Sequence, residues 1–289
     1  MIFNPAAGSR RRRRFERVIG ALAEAGLRVT VADTTCSGHA ETLAREAARA
    51  GDRLVVAAGG DGTIAEVANG LAGSATRLGV IPIGTANVFA HELGLPFAPA
   101  AIARSFAAGR TRAVLPGRAR FADGRSRLFV QMLGVGLDAA VVAALDAGLK
   151  RRIGKGAYVI ETVRQIFAWP YPRLSLRLDG APAEAAQAIA AKGRFYGGRF
   201  PLAPGARPDA PGVTACLFPR GGLWPALRAG LALPLGLLPV LGGVVHRHVS
   251  EFEVAGPAGL PVQADGDLAG ATPVTVGDAD APLAVVVPG

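Results

Sequence analysis

Apolar residues recur along this chain with two different periods, and the change from one to the other divides it. Through about Leu115, short apolar runs at Val29 to Ala32, Leu54 to Ala58 and Leu78 to Ile83 alternate with longer stretches. In those, at Phe15 to Ala25, Glu41 to Ala50, Ile64 to Leu71 and Ala100 to Ala107, apolar positions return every three to four residues. Continuous runs suit strands buried on both faces and the periodic stretches suit amphipathic helices, so the region predicts a parallel sheet of βα units. Beyond it the period falls to two. Leu174, Leu176 and Leu178 alternate with Arg173, Ser175 and Arg177 before Asp179-Gly180, a hairpin signal. The fold class is therefore α/β, with an N-terminal Rossmann-like parallel-sheet domain over residues 1–115. A mainly antiparallel β domain follows over residues 116–280, interrupted by helices near Ala139 to Leu145 and Ala157 to Phe167. The first strand is a stub, Met1-Ile2-Phe3, which the sheet either tolerates or completes from an upstream start.

One apolar stretch raises the question of a membrane. Leu223 to Val245 is interrupted by Pro225, Arg228, Pro234, Pro239 and several glycines, which speaks against a spanning helix. Two readings stay open: a helix and turn packed on the β domain, or an apolar lip that meets a bilayer or acyl chains.

The candidate chemistry sits where the predicted strands of the first region end. Ile2-Phe3 runs into Asn4-Pro5-Ala6-Ala7-Gly8-Ser9, Leu54 to Ala58 into Gly59-Gly60-Asp61-Gly62-Thr63, and Leu78 to Ile83 into Gly84-Thr85-Ala86-Asn87. In an open parallel sheet such loops gather along one edge, where ligands bind. Glycines bring backbone N–H groups close to a ligand, and a helix that starts there aims its positive end at an anion, so the outline is that of a phosphate site. Asp61 would repel phosphate unless a divalent cation lay between them, which points to a Mg²⁺-nucleotide. The alternative is a tight turn whose aspartate accepts backbone hydrogen bonds. Thr63 with Glu66 three residues on reads as a capping box. None of the loops has a Walker lysine or GxGxxG spacing.

These residues, in this order, resemble the diacylglycerol kinase catalytic domain in its bacterial lipid kinase form. The resemblance rests on Asn4-Pro5 with Gly8, on Gly59-Gly60-Asp61-Gly62-Thr63 with Glu66, Asn69 and Gly70, and on Gly84-Thr85-Ala86-Asn87. It continues through Gly134-Val135-Gly136-Leu137-Asp138-Ala139, Tyr196-Gly197-Gly198, Ala203-Pro204 and Gln263-Ala264-Asp265-Gly266-Asp267, and so covers nearly all of the chain. It implies a fold of the NAD kinase/diacylglycerol kinase type, in which a last strand over about residues 281–289, with Leu283 to Val287, returns to the nucleotide-binding domain. The β-rich domain would then take the lipid.

The implied activity is transfer of the γ-phosphoryl group of Mg²⁺-ATP to a lipid hydroxyl such as that of diacylglycerol, a sphingoid base or ceramide. Asn4, Thr34, Gly59, Gly60, Gly62, Thr63, Glu66, Gly84 and Thr85 would bind the nucleotide. Asp61 would hold Mg²⁺ directly or through water, and Asp267 would be the base for the acceptor hydroxyl. By spacing alone Asp265-Gly266 is a hairpin turn.

The chain also departs from the family pattern. Asp267 stands where a glutamate is usual, and Val88 follows the Gly84-Thr85-Ala86-Asn87 element where many relatives have an aspartate. Pro211 and Ala215 replace the acidic pair of a structural metal site, leaving Asp209, so no metal is expected there. Two other readings follow: an NAD kinase, which shares the glycine-aspartate loop, or a catalytically weak lipid- or nucleotide-binding relative.

Composition narrows the setting. The 289 residues, 50% hydrophobic and rich in glycine, suit a globular α/β protein. Cys36 and Cys216 offer no disulfide framework and no secretory apolar region follows Arg10 to Arg14, so a cytoplasmic protein is expected. A net charge of +10 implies an anionic partner. Arg10 to Arg14 would assist phosphates, and Lys150-Arg151-Arg152 with Lys155 would touch an anionic membrane surface. Aromatics do not interleave with these runs, which counts against nucleic acid. The lipid partner that the resemblance implies would place the protein peripherally on the inner face of the membrane. His246 and His248 share one strand face without further ligands and are read as a satisfied or solvent-exposed pair.

Overall fold

In the computed structural model, which describes residues 1–5, 9–145, 155–240 and 242–289, the N-terminal stub is a working strand. Gly8 and Lys150-Arg151-Arg152 lie outside the described residues, as do the side chains of Arg10 and Lys155. Strand β1 (Ile2–Phe3) pairs in parallel with β2 (Ala32–Asp33) on one side and β3 (Leu54–Gly59) on the other. The expected strand at Val29 to Ala32 is corrected by this pairing. Its ladder partner among the described residues begins at Ile2, so β2 starts at Ala32, and Val29 and Val31 are left 38% and 41% exposed at the sheet edge. The Met1 ammonium donates to the Thr30 carbonyl at 2.8 Å instead.

Two compact units result, one of residues 1–115 with 280–289, the other of residues 116–279. In the first, β4 (Arg77–Pro82), β5 (Thr111–Val114) and β20 (Leu283–Val286) complete a six-stranded sheet of order β2-β1-β3-β4-β20-β5. All its pairs are parallel except β20 with β5. Alternation along β3 explains the layers. Val56 and Ala58 join Phe3, Ile81 and Ile83 against Phe15, Val18 and Leu22 of α1 (Ser9–Glu24) and Ile102 and Ala103 of α5 (Pro99–Ala108). The Phe3 and Phe15 rings stack at 4.2 Å. Residues Val55 and Ala57 point to the other face by the period of two, where α2 (His39–Arg49) and α3 (Asp61–Gly70) pack. After β1 the chain steps to β2 on one side and then to β3 on the other, so the strand order reverses between β1 and β3. That reversal is where ligands bind in open parallel sheets.

The second unit contains two six-stranded antiparallel sheets. One runs β10 (Ala181–Ala185), β9 (Leu174–Leu178), β16 (Phe252–Gly256), β19 (Val274–Asp278), β6 (Gly117–Phe121) and β7 (Ser126–Phe129). The other runs β15 (Val245–Val249), β14 (Val213–Phe218), β11 (Gln187–Ala191), β8 (Met132–Val135), β17 (Pro261–Ala264) and β18 (Asp267–Ala271). A two-stranded ribbon, β12 (Phe195–Tyr196) with β13 (Phe200–Pro201), stands apart from both. Leu174, Leu176 and Leu178 share one core with Leu133, Ala188, Ala190 and Val262, as the period-two pattern requires. Ile189 and Ala191 point away from it to a second cluster that contains Ala232 of α8 (Leu223–Ala232) and Leu238. Helix α6 (Leu137–Ala144) packs on β8, β17 and β18 and against α7 (Lys155–Ala168), which also touches α8.

Among the described residues, the most deeply buried charge of this unit is a lysine. The Lys192 ammonium, 1% exposed, donates to the carbonyls of Ala210 and Gly212 at 2.8 and 2.9 Å and to Asp278 Oδ1 at 3.0 Å. Burial lowers its pKa while Asp278 and Asp209 work in the opposite direction. A lysine ammonium thus ties the segment after Ala203-Pro204 to β19, and the described residues contain no cluster of metal-ligating side chains.

Candidate active site

Three loops leave the carboxyl ends of β1, β3 and β4 and close on one another. The Asn4 N–H donates to the Ala58 carbonyl at 3.1 Å, and the N–H groups of Ile83 and Gly84 both donate to Gly59 O at 3.1 and 3.0 Å. Backbones approach so closely here that a Cβ on Gly84 would lie 2.3 Å from the Cα of Gly60, which only paired glycines permit. Asn4 Nδ2 donates to Thr63 Oγ1 at 3.1 Å, and the Thr34 N–H donates to Phe3 O at 2.8 Å. Arg11, on the first turns of α1, donates to the Thr85 hydroxyl. Asn4, Gly59, Gly60, Asp61, Gly62, Thr63, Gly84 and Thr85 are therefore brought together at the strand-order reversal, with Thr34 at the end of the adjoining strand.

Asp61 is the first residue of α3 and is partly exposed. Its Oδ1 accepts the Phe89 N–H at 3.1 Å, at the start of α4 (Val88–Glu92). Burial raises its pKa above the usual carboxylate value, and hydrogen bonds from Phe89, Val88, Asp61 and Asn87 backbone groups oppose that. The backbone-accepting role is thus real. Asn87, in the left-handed region with φ 49°, donates from Nδ2 to Gly84 O at 2.9 Å, while its Oδ1 is buried without a partner. One carboxylate beside an orphaned buried acceptor suits Mg²⁺, which keeps several waters and takes most other ligands from phosphate.

The capping box is corrected. Helix α3 starts at Asp61 with Gly60 as its N-cap, so Thr63 and Glu66 already lie inside it. Both Glu66 oxygens are directed to α2, accepting the N–H of Gly38 at 2.9 Å and of Ala40 at 3.1 Å. Gly38 has no side chain to cap its own helix, and Glu66 supplies the missing acceptor.

The second constellation lies in the other unit. Asp265 (φ 51°) and Gly266 (φ 87°) form the two-residue turn between β17 and β18, and Asp267 is the first residue of β18. The Asp265 carboxylate accepts three N–H groups, from Val130, Gln131 and Met132, at 2.7, 2.8 and 3.0 Å. The Gly266 N–H donates to Gln263 Oε1 at 3.0 Å, and Gln263 Nε2 donates to Asp138 Oδ2 at 3.1 Å. Three side chains, Asp265, Gln263 and Asp138, therefore clamp the turn that precedes Asp267.

Sequence reasoning missed two members of that clamp, Asp138 and Gln263, although both stand in the quoted Gly134 to Ala139 and Gln263 to Asp267 segments. The available signal was polarity inside an apolar run. Asp138 is buried, its pKa is pushed up to about 6 by desolvation, and its Oδ1 has no partner. A Cβ on Gly134 would fall 2.0 Å from Asp138 Oδ2, so glycine makes room for the carboxylate. The Tyr196 hydroxyl is held well above its usual pKa by burial and then by Asp138 and Tyr158.

Comparison with known proteins bears on this geometry. The diacylglycerol kinase catalytic domain family matches residues 1–119. The chain is 34% identical over 260 residues to a probable YegS-like lipid kinase of Chromohalobacter salexigens, covering 86% of this chain and 80% of that protein. It is 33% identical over 186 residues to the diacylglycerol kinase of Bacillus subtilis, covering 62% of this chain and spanning 59% of that protein's length. A crystal structure of a diacylglycerol kinase from Bacillus anthracis superposes with a TM-score of 0.75 at 22% identity. It covers 99% of this chain and 95% of that one, a likeness of fold.

Proposed function

This chain belongs to the diacylglycerol kinase catalytic domain family, and we propose on that premise that it transfers the γ-phosphoryl group of Mg²⁺-ATP to a lipid hydroxyl. The observation that carries the reading is the convergence of three strand-end loops around Asp61 at the strand-order reversal. The amides of Gly59, Gly60 and Gly62 and the side chains of Asn4, Thr34, Thr63 and Thr85 would hold the nucleotide. Arg11, already at Thr85, would add positive charge beside the phosphates. Glu66 serves at one remove by fixing α2.

Asp61 would hold Mg²⁺ directly or through water, and the ion when bound would neutralise charge on the phosphates. Beside such an ion Asp61 would be favoured in its ionised form, against the effect of its burial. Asp267 would take the proton of the acceptor hydroxyl as its oxygen forms the new bond to the γ-phosphorus and ADP leaves. Positioning and charge neutralisation supply most of the catalysis in such transfers.

Labelled ATP with Mg²⁺ and a total lipid extract is the test, run beside Asp61→Asn. Label is expected in lipid, and the variant should lose transfer by about 10²-fold or more with its circular dichroism unchanged. A folded variant with the wild-type rate overturns the role of Asp61. Label on added NAD in place of lipid overturns the acceptor class.

A further inference from the structure

We propose that the apolar faces of α7 and α8 form a docking surface for an anionic lipid bilayer. Val159, Val163 and Phe167 follow one another at intervals of four on α7, and all are exposed, Phe167 at 69%. Residues Trp224 and Leu231, seven apart on α8, are 78% and 71% exposed, and Leu235 just beyond is 71% exposed. The two helices pack on each other. A helix normally turns such a stripe inward, and these elements keep Ala157, Ile166 and Ala232 for that purpose. Exposed apolar residues gathered on neighbouring elements mark a surface meant to be covered.

Charge decides what covers it. From Pro219 to Ser250 the chain has no Asp or Glu, while Arg220 and Arg228 are exposed. The acid of α7, Glu161, is buried and bridges to Arg164, whose own side chain is 74% exposed. The surface is thus apolar with a positive border, which matches acyl chains beneath anionic headgroups. A second copy using the same face would bring identical arginines against each other about a two-fold axis. No described helix is long and apolar enough to cross a membrane, so these helices would lie in the interface. Trp224, with an apolar body and a polar N–H, suits that depth.

The inference gives the proposed lipid kinase its route to an acceptor in a bilayer and rests on that reading. Its test needs no catalysis. The full chain, without nucleotide, is sedimented with vesicles of phosphatidylcholine alone or mixed with phosphatidylglycerol across a salt series, and tryptophan emission is followed. Binding should require the anionic lipid and weaken with salt, because screening acts over about 8 Å at physiological ionic strength. The emission should shift to the blue in wild type and in Trp169→Phe, and the shift should vanish in Trp224→Phe.

Leu231→Ser with Leu235→Ser should lower vesicle affinity by about 10-fold or more with unchanged thermal unfolding. Equal binding to both vesicle types, or a Trp224 emission that ignores vesicles, overturns the docking surface. Dimerisation that the serine substitutions abolish assigns the face to a second copy instead. Because binding and transfer are read separately, a kinase that fails to dock and a docking protein that fails to phosphorylate give different results.

Discussion

At Asp138 burial outweighs hydrogen bonding. Gln263 and backbone N–H groups favour the carboxylate, yet desolvation pushes its pKa up to about 6. The folded value lies above the ordinary carboxylate value near 4, so the protonated form is the one the fold prefers. The stabilisation is fully present below about pH 4 and is lost as pH rises through about 6, and a displacement of about two pH units corresponds to about 3 kcal/mol. Asp138→Asn, which stays neutral and can still accept from Gln263, should therefore gain stability over wild type as pH rises from about 4.5 to 7.5, by about 2 kcal/mol. Urea unfolding of both proteins at the two pH values measures it. A difference that does not change with pH would remove burial as the cause. The sequence shows Asp138 only as one polar letter among Val135, Leu137 and Ala139. Its burial depends on Gly134 making room and on Gln263, 125 residues later, and no local pattern encodes that meeting.

Hairpin β17–β18 separates two aspartates that look alike in sequence. Asp265 accepts three N–H groups, two from the segment between β7 and β8 and one from Met132 at the start of β8, and so anchors the turn, whereas Asp267 has left the turn and begins a strand. Asp265→Ala should cost about 3 kcal/mol or more, since it leaves three N–H groups without their charged acceptor. Asp267→Asn should unfold like wild type and bind Mg²⁺-ATP within a few-fold, yet phosphorylate lipid about 10²-fold more slowly, the scale of losing a positioned base. Thermal unfolding, nucleotide titration and initial rates on the three proteins separate these outcomes. A fully active Asp267→Asn protein would reject the base, and a large loss of nucleotide affinity would move Asp267 to the metal side.

The turn itself was legible, because Asp-Gly between alternating strands fixes a left-handed pair. Helix capping was less so. Thr63 and Glu66 have the right spacing for a capping box, but α3 starts two residues earlier, and the uncapped end of α2 claims Glu66. Spacing alone carries no information about a neighbouring helix that lacks an acceptor.

Over the whole chain, the periods of three to four and of two were enough for the α/β class, because buried parallel strands and half-buried antiparallel strands leave different hydrophobic patterns. The order of strands is less visible. Leu283–Val286 is an apolar tetrad that suits any sheet, and the structure inserts it between β4 and β5 of the first unit, after 164 residues of the second. There it is the sheet partner of β5 and covers the outer edge of β4. Leu283, Val285 and Val286 are all buried, and at about 1.5–3 kcal/mol per side chain their loss approaches the 5–15 kcal/mol by which a domain is usually stable. Deleting residues 280–289 should therefore unfold the first unit and abolish nucleotide binding, although the Gly59 to Thr63 loop is more than two hundred residues away in sequence. The sheets of the second unit contain none of the deleted residues. Hydrogen exchange should accordingly show β3 and β4 losing protection while β8, β11 and β14 keep theirs, with Val285→Asp reproducing the pattern in a full-length chain. Protected β3 and β4 in the truncated protein would mean that the last strand decorates the sheet and does not hold it.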